Sequence, residues 1–172
     1  DLAISSEDAC KLLINADVVG LLRAAVRIEA PTTREACAQL MYFLSTRESI
    51  CSALVDTGVV MYLMSLSETS DENIKNMCSA AFFNLSAKRA LISSGLFECL
   101  MQLMDSTKGV RVLWCTECIA NMSMYRRSRQ ALSRETLKLL ANFNALMRYG
   151  VDEADKAQFF CGVAICNVLS EK

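Results

Sequence analysis

Apolar residues recur at helical spacing in one stretch of the chain, and three other stretches repeat the pattern. Between residues 76 and 86, Cys78, Ala81, Phe82 and Leu85 fall at i, i+3, i+4 and i+7, which places them on one face of an α-helix. The other stretches, each led by a cysteine, carry Cys37, Leu40, Met41 and Leu44; Cys115, Cys118, Ile119 and Met122; and Cys161, Ala164, Ile165 and Val168. The leading cysteines recur about every 40 residues, a period typical of helical repeat arrays.

The first repeat predicts two short helices followed by a longer one. The motif Ser5-x-x-Asp8 resembles a capping box at the start of the first helix, and an apolar segment from Val18 to Val26 forms the second. The only proline, Pro31, precedes Thr32-x-x-Glu35, a full capping box that we expect to begin the long third helix.

The second repeat follows the same order. Gly58 is expected to end its first helix in a left-handed conformation. Thr69-x-x-Glu72 is again a capping box before the long helix, which contains the stripe led by Cys78.

The third and fourth repeats fit the same scheme less regularly. In the third, a short helix at Ala90-Leu91-Ile92 ends at Gly95, and the long helix runs from about Val110 to Ser123 after a turn at 106–109. In the fourth, Glu135 replaces the expected glycine. The apolar positions that follow it are Leu137, Leu139, Leu140, Phe143, Leu146 and Met147, and Gly150 closes that helix.

Composition and the lengths of the apolar runs favour an all-helical domain. Hydrophobic residues make up 53% of the 172 residues, above the usual share in a soluble protein. No apolar run reaches the roughly 18 residues of a membrane span, and no strand alternation or glycine-rich phosphate loop interrupts the helical pattern. We expect one domain over residues 1–172, with repeats at about 1–46, 47–87, 88–125 and 126–172. The chain does not begin with methionine, so we also expect a fragment of a longer protein.

The charged and reactive residues argue against an enzyme or a nucleic-acid-binding protein. The net charge is −1 and there is no histidine. The chain therefore lacks the basic excess that attracts nucleic acid, and it lacks the commonest general base and metal ligand. Carboxylate pairs such as Asp71-Glu72 and Asp152-Glu153 lie at predicted helix starts, where the helix dipole explains them. We predict no catalytic residue, no metal and no cofactor.

The nine cysteines indicate a reducing compartment, where a free thiol packs as a small apolar side chain. Cys115-x-x-Cys118 has the spacing of a redox or zinc motif. Both residues fall on a predicted core stripe, however, and no second pair or histidine completes four ligands, so we interpret them as core. We expect a cytoplasmic protein, with a cytoskeletal or nuclear location left open.

The ends of the long helices resemble those of armadillo repeats, whose third helices end in a pattern like Ala-x-x-x-Leu-x-Asn-Leu-Ser. Here the pattern stands as Ala80-Ala81-Phe82-Phe83-Asn84-Leu85-Ser86, as Ile119-Ala120-Asn121-Met122-Ser123 and as Ile165-Cys166-Asn167-Val168-Leu169-Ser170. The first repeat has Phe43 where the asparagine would be. The resemblance covers essentially the whole chain. It implies a right-handed α-solenoid of about four armadillo-type three-helix repeats, whose third helices line a concave groove.

The same resemblance implies a ladder of asparagines in that groove. In armadillo proteins such residues bond the backbone of an extended peptide, so Asn84, Asn121 and Asn167 are the candidates here. A carboxamide offers a donor and an acceptor together and can therefore pair with a peptide unit. As an alternative, an asparagine near a helix end caps its own chain or a neighbouring loop.

The groove-facing stripe is predicted at 0, −4, −7 and −11 from each asparagine position. It comprises Phe43, Gln39, Ala36 and Thr32; Asn84, Ala80, Met77 and Asn73; Asn121, Glu117, Trp114 and Val110; and Asn167, Val163, Phe160 and Lys156. This largely apolar stripe suits a helix or an extended peptide with hydrophobic anchors. Trp114 is the best hot-spot candidate, although it could equally lie between repeats.

One departure argues against a nuclear-import groove. Importin-type armadillo proteins carry a tryptophan four residues before the asparagine, whereas this chain has Gln39, Ala80, Glu117 and Val163 there. An importin-like transport adaptor is therefore the weaker alternative, and we expect no useful affinity for a basic peptide.

Loops that follow the long helices carry basic residues, namely Lys88, Arg89, Arg126, Arg127 and Arg129. Such loops stack along one edge of a solenoid, so they are a candidate basic rim for an acidic partner, a phosphate or a membrane surface. The alternative is an ordinary solvated loop.

The sequence thus predicts a non-catalytic scaffold that binds a peptide or helical segment of a partner protein in its groove. The alternative is a structural segment of a longer solenoid, or a homo-oligomer that stacks through its end repeats. We expect no nucleic acid and no transmembrane segment, and we leave contact with a membrane surface open.

Overall fold

The computed structural model describes residues 7–26, 30–89, 91–105, 109–135, 138, 140–141, 144 and 154–170. No residue in these ranges lies in a β-strand, and the chain there is mainly helical, as the sequence predicts. The helices are α1 (Glu7–Asn15), α2 (Val18–Val26), α3 (Pro31–Ser45), α4 (Glu48–Asp56), α5 (Val59–Ser67), α6 (Glu72–Ser86), α7 (Leu96–Met104), α8 (Gly109–Met124), α9 (Arg126–Ser133) and α10 (Ala154–Leu169). Residues 138, 140, 141 and 144 are also helical.

The chain folds into two compact units, Asp1–Arg89 and Ala90–Lys172. In the first unit, α6 packs along α3 and against α5, α2 contacts α3 and α5, and α1 contacts α2 and α4. In the second unit, α10 packs along α8, while α7 and α9 also contact α8. Each unit is therefore built around a pair of long helices.

The predicted core stripes lie inside these units. Cys78, Ala81, Phe82 and Leu85 on α6 all have 0% exposure. The other stripes are buried as well, except that Leu40 and Ile165 are half-buried. All nine cysteines lie in the described ranges as free thiols, and seven of them are buried.

Two glycine corners are left-handed, as was predicted for Gly58, whereas Gly95 was predicted only to end a helix. Gly58 has φ 79° immediately before α5, and Gly95 has φ 81° immediately before α7. A side chain strains this left-handed region, so glycine is the favoured residue at both corners. The guanidinium of Arg23 donates to the Gly58 carbonyl at 2.8 Å, which ties α2 to this corner.

The capping box predicted at Thr32 is wrong. The helix α3 begins at Pro31, with Ala30 as its N-cap and no side-chain capping bond. Proline at the first helical position has its φ fixed near the helical value and has no N–H to satisfy, so it starts the helix by itself. Thr32 consequently lies inside the first turn.

The capping box predicted at Thr69 is also wrong, because Asp71 caps α6. Its carboxylate accepts from the backbone N–H groups of Asn73 and Ile74, at 2.8 and 3.1 Å. Thr69 supports the cap from outside the helix, since its hydroxyl oxygen accepts from the Asp71 N–H at 3.1 Å. Aspartate is a stronger N-cap than threonine, which explains the shift of two residues.

The short helix predicted at Ala90-Leu91-Ile92 is not formed, since residues 91–93 are not helical and Ala90 lies outside the described residues. Leu91 is instead an extended anchor with 0% exposure, and its carbonyl accepts from the Ser128 hydroxyl at 3.2 Å. Three apolar residues are too few to offset the cost of nucleating a helix.

Several other predictions fall outside the described residues. They are the cap at Ser5, most of the turn at 106–109, and the positions Leu137, Leu139, Phe143, Leu146, Met147 and Gly150.

Arg34 links the long helix α3 to the short helix α5. Its Nη2 donates to the carbonyls of Ser65, Leu66 and Glu68, at 3.4, 3.2 and 3.2 Å. These carbonyls belong to the last turn of α5 and its C-cap, which otherwise have no intrahelical donor. The contact ties α3 to the end of α5.

Candidate functional site

Each unit contains an asparagine that bridges its two long helices. In the first unit, the Nδ2 of Asn84 on α6 donates to the Ser45 hydroxyl on α3 at 3.0 Å. In the second, the Nδ2 of Asn167 on α10 donates to the Ser123 hydroxyl on α8 at 2.9 Å. Both serines are buried, and each donates at 2.6 Å to the carbonyl three residues earlier in its own helix. The asparagines are thereby held in fixed orientations.

The bridging amides keep hydrogen-bonding capacity for a ligand. Asn84 and Asn167 are half-buried. Within the described part of the chain, the side-chain oxygen Oδ1 of neither residue accepts a hydrogen bond. The second N–H of each Nδ2 is also unused by these residues. Asn121 is half-buried too, and it is engaged with another group. An oxygen and an N–H side by side match the two groups of a peptide unit.

A cleft of about 290 Å³ lies beside Asn84. Its lining comprises Ser45, Thr46, Glu48, Cys51, Phe83, Asn84, Ala87 and Lys88. Lys88 and Glu48 form an ion pair at 2.8 Å, and burial raises the pKa of the Cys51 thiol. The cleft thus combines the Phe83 ring, the Asn84 amide and the ion pair of Lys88 with Glu48. The raised pKa of Cys51 disfavours the thiolate, so this thiol is not activated as a nucleophile.

The other predicted groove residues differ in their exposure to solvent. Gln39 and Asn73 are exposed, whereas Met77, Trp114, Glu117 and Phe160 are half-buried. Ala80 corrects the prediction of an exposed stripe, because it is only 4% exposed. The face of α6 that carries Asn84 therefore packs more closely than its sequence pattern indicates.

Glu117 is the only carboxylate among the predicted groove residues. Burial raises the pKa of this carboxyl. A half-buried ionised carboxylate disfavours another anion nearby and favours a donor or a cation. Glu117 therefore makes the α8 face more favourable for a hydrogen-bond donor or a cationic group of a ligand than for an anionic one.

The predicted basic rim is largely engaged within the protein. Lys88 pairs with Glu48 at 2.8 Å, and Arg89 pairs with Asp56 at 2.8 Å. Arg129 donates to the carbonyls of Ser123 and Met124 at the end of α8, at 3.1 and 3.4 Å. Arg126 and Arg127 are exposed on the first turn of α9. Lys88, Arg89 and Arg129 are thus engaged within the protein, which lowers the charge available to an anionic partner.

The serines that hold the asparagines were not predicted from the sequence. A signal was present, because Ser45, Ser86 and Ser123 all stand two residues after the asparagine position. Such a repeat resembles an ordinary helix end unless a neighbouring helix is known to lie against it. The sequence also gave no indication of a second cleft, of about 470 Å³, lined by Glu98, Met101, Gln102, Lys138 and Ala141.

The Cys115-x-x-Cys118 motif lies in the core, where both thiols have 0% exposure. Among the described residues, no three His, Cys, Asp or Glu side chains are grouped closely enough to hold a metal ion.

No single helix in the described ranges has the length and apolar character of a membrane span; the pair α4 and α5, bent by 86°, passes that test jointly. Comparison with protein-family models, curated proteins and solved structures found no match to this chain.

Proposed function

We propose that this protein is a non-catalytic, armadillo-type interaction scaffold that binds a peptide or helical segment of a partner protein along the exposed faces of its long helices. The observation that carries the proposal is the bridging asparagine in each unit. The side-chain amides of Asn84 and Asn167 are each held through one N–H of Nδ2, while Oδ1 accepts no hydrogen bond from the described chain.

Preorientation is what makes these amides suitable for binding. A free asparagine loses side-chain entropy when it binds a peptide, whereas Asn84 has already been ordered by its bond to Ser45. Its Oδ1 can accept from a peptide N–H, and the remaining N–H of Nδ2 can donate to a peptide carbonyl. Such backbone contacts supply affinity without requiring a particular sequence.

Apolar neighbours supply the specificity. Met77 on α6, Trp114 on α8 and Phe160 on α10 are half-buried, so each presents part of an apolar surface to solvent. Tryptophan contributes most per residue when it fills a partner pocket, which makes Trp114 the strongest anchor among them. A ligand that presents an apolar side chain fits each of these faces better than a run of lysines does.

The proposal is tested by selecting peptides from a displayed random library against the 172-residue chain. The tightest peptide is then labelled and titrated by fluorescence anisotropy. We expect Asn84→Ala, Asn121→Ala, Asn167→Ala or Trp114→Ala to weaken the peptide bound at its face by about tenfold or more. Gln130→Ala, an exposed change on α9, is the matched control and leaves affinity unchanged.

Thermal unfolding by circular dichroism checks that each variant keeps its fold. A selected peptide whose affinity is insensitive to all four substitutions contradicts the proposal. So does a selection that returns only Lys- and Arg-rich peptides whose binding disappears in salt, because that result indicates nonspecific charge attraction.

A further inference from the structure

The second long helix docks on the first in the same register in both units. The arriving helix supplies the asparagine, Asn84 or Asn167, and the receiving helix supplies the serine, Ser45 or Ser123. Each serine stands two residues after the asparagine position of its own helix. The register therefore defines two faces on every long helix, an arriving face that includes the asparagine position and a receiving face that includes the serine position.

The receiving face is closed where a helix of the same unit covers it. On α3 it includes Ala38 and Ser45, which are 1% and 2% exposed. On α8 it includes Thr116 and Ser123, which both have 0% exposure. These residues stand five before and two after the asparagine position.

The equivalent face of α10 is open and apolar. Gly162 and Leu169 occupy the two positions, and Leu169 is 67% exposed. Phe159, one turn before Gly162, is 65% exposed, and Cys166 on the same side is exposed as well. A Cβ built at Gly162 meets no atom within 4 Å, so a helix backbone can approach closely there. Exposed large apolar side chains on one helix face indicate a surface that another element covers.

The arriving face of α3 is partly open as well. Phe43 stands at its asparagine position and is half-buried, with the guanidinium carbon of Arg47 4.8 Å from the ring centroid. Leu40, three residues earlier, is half-buried, whereas Ala81 and Ala164 at the same position have 0% exposure. An arginine side chain has several rotatable bonds, so Arg47 can leave the Phe43 ring when a helix packs there.

The two open faces differ from the internal ones in complementary ways. Of the four long helices in the described ranges, three have asparagine at the asparagine position and the fourth, α3, has Phe43. Three have serine two residues later, and the fourth, α10, has Leu169. An asparagine arriving at Leu169 would lose its acceptor, while Phe43 arriving there buries apolar surface on both sides. Among the long helices that the structure describes, the open face of α10 therefore fits the arriving face of α3 best.

We propose that the protein self-associates head to tail, with α10 of one copy receiving α3 of a second copy in the register of the internal helix pairs. Phe43 then packs on Leu169 where the internal pairs have the Asn–Ser hydrogen bond. The two faces are different, so the contact is heterologous and extends into a ring or an open array.

Sedimentation velocity of the 172-residue chain over a wide concentration range tests the proposal, in reducing buffer because Cys166 is exposed. We expect the wild-type chain to associate as concentration rises. Leu169→Glu blocks the receiving face and Phe43→Glu blocks the arriving face, and each weakens association about a hundredfold or more because a charge is buried without a partner. Met61→Glu, at an exposed residue of α5 outside both faces, keeps the wild-type behaviour.

Mixing distinguishes a head-to-tail contact from other modes. The Phe43→Glu copy keeps an intact α10 face and the Leu169→Glu copy keeps an intact α3 face, so an equimolar mixture forms a one-to-one dimer although each is monomeric alone. The paired change Phe43→Asn with Leu169→Ser recreates the internal polar pair and keeps association, whereas each single change weakens it about tenfold.

A chain that stays monomeric at the highest concentration overturns the proposal and leaves the α10 face to a different partner. Association that both glutamate variants retain, or a mixture that does not dimerise, overturns it equally. Circular dichroism of every variant confirms that the fold is intact.

Discussion

The bond between Asn84 and Ser45 can be tested by a double-mutant cycle. Ser45→Ala removes the acceptor for Asn84 at 3.0 Å and a donor to the Tyr42 carbonyl at 2.6 Å. Ser45 is 2% exposed, so in the alanine variant protein atoms rather than water surround the position of the lost hydroxyl. Asn84 is only half-buried, and its freed N–H can therefore reach solvent.

These features set the expected magnitude. A neutral hydrogen bond contributes about 1 kcal/mol net, so each single alanine variant should lower the free energy of unfolding by roughly that amount. For a protein of this size, that loss lowers the midpoint of thermal unfolding by about 2–4 °C. Since both substitutions remove the same bond, the double variant should lose about 0.5–1.5 kcal/mol less than the two single losses added together.

Urea unfolding followed by circular dichroism measures the four free energies. Ser52→Ala, at an exposed serine on α4, is the matched control and should change stability by less than about 0.5 kcal/mol. Losses that add within about 0.3 kcal/mol would refute the inference that the amide is held by this serine. The pair Asn167 and Ser123 provides an independent repeat of the cycle, and Trp114 on α8 reports on its unit by fluorescence.

Three further predictions concern single residues. Asp71→Ala removes the α6 N-cap and should cost about 1 kcal/mol in urea unfolding, whereas Asp71→Asn, which still caps, should cost much less. Gly58→Ala places a side chain at φ 79° and should cost about 1 kcal/mol or more, while Gly162→Ala, in a helix with open space around it, should not destabilise the monomer; opposite signs would contradict the conformational argument. Burial raises the pKa of Glu117, so its ionisation costs stability above that pKa and the cost is relieved as pH falls; Glu117→Gln should therefore raise the melting temperature near pH 7, with an advantage that shrinks toward about pH 4. An advantage independent of pH would assign the effect to packing.

The core and the corners were the parts that sequence reasoning could predict. The stripe of Cys78, Ala81, Phe82 and Leu85 is determined by local spacing, and the structure buries all four residues. The left-handed corner at Gly58 was predictable because a positive φ strongly favours glycine. Both signals are local in the chain.

Features that depend on a second helix were harder to predict. Ala80 was expected on an exposed stripe, but close packing buries it to 4% exposure. Asn84 was expected to bond a ligand or to cap its own chain or a neighbouring loop. The structure adds a bond that the pattern does not show, in which the Asn84 Nδ2 donates to Ser45 on α3, 39 residues earlier. The pattern of one helix gives the direction of a side chain but not what approaches it.

The predictions of where α3 and α6 begin were wrong for a different reason. Thr32 and Thr69 both matched the capping-box pattern, but Pro31 and Asp71 lie next to the true starts and are stronger signals. Where several N-cap residue types compete within three positions, the pattern alone does not decide which one caps.

Each long helix carries a buried cysteine whose reaction with a thiol reagent can report local opening of that helix. Cys37, Cys78, Cys115 and Cys161 stand at the same position on α3, α6, α8 and α10, and all are at most 3% exposed. Burial also raises the pKa of Cys161 to about 12, which suppresses the reactive thiolate while the helix is packed. A thiol reagent should therefore label Cys166 at once and the buried thiols only as each helix detaches. The labelling rates, assigned by mass spectrometry, would rank the four long helices by opening free energy with no substitution introduced.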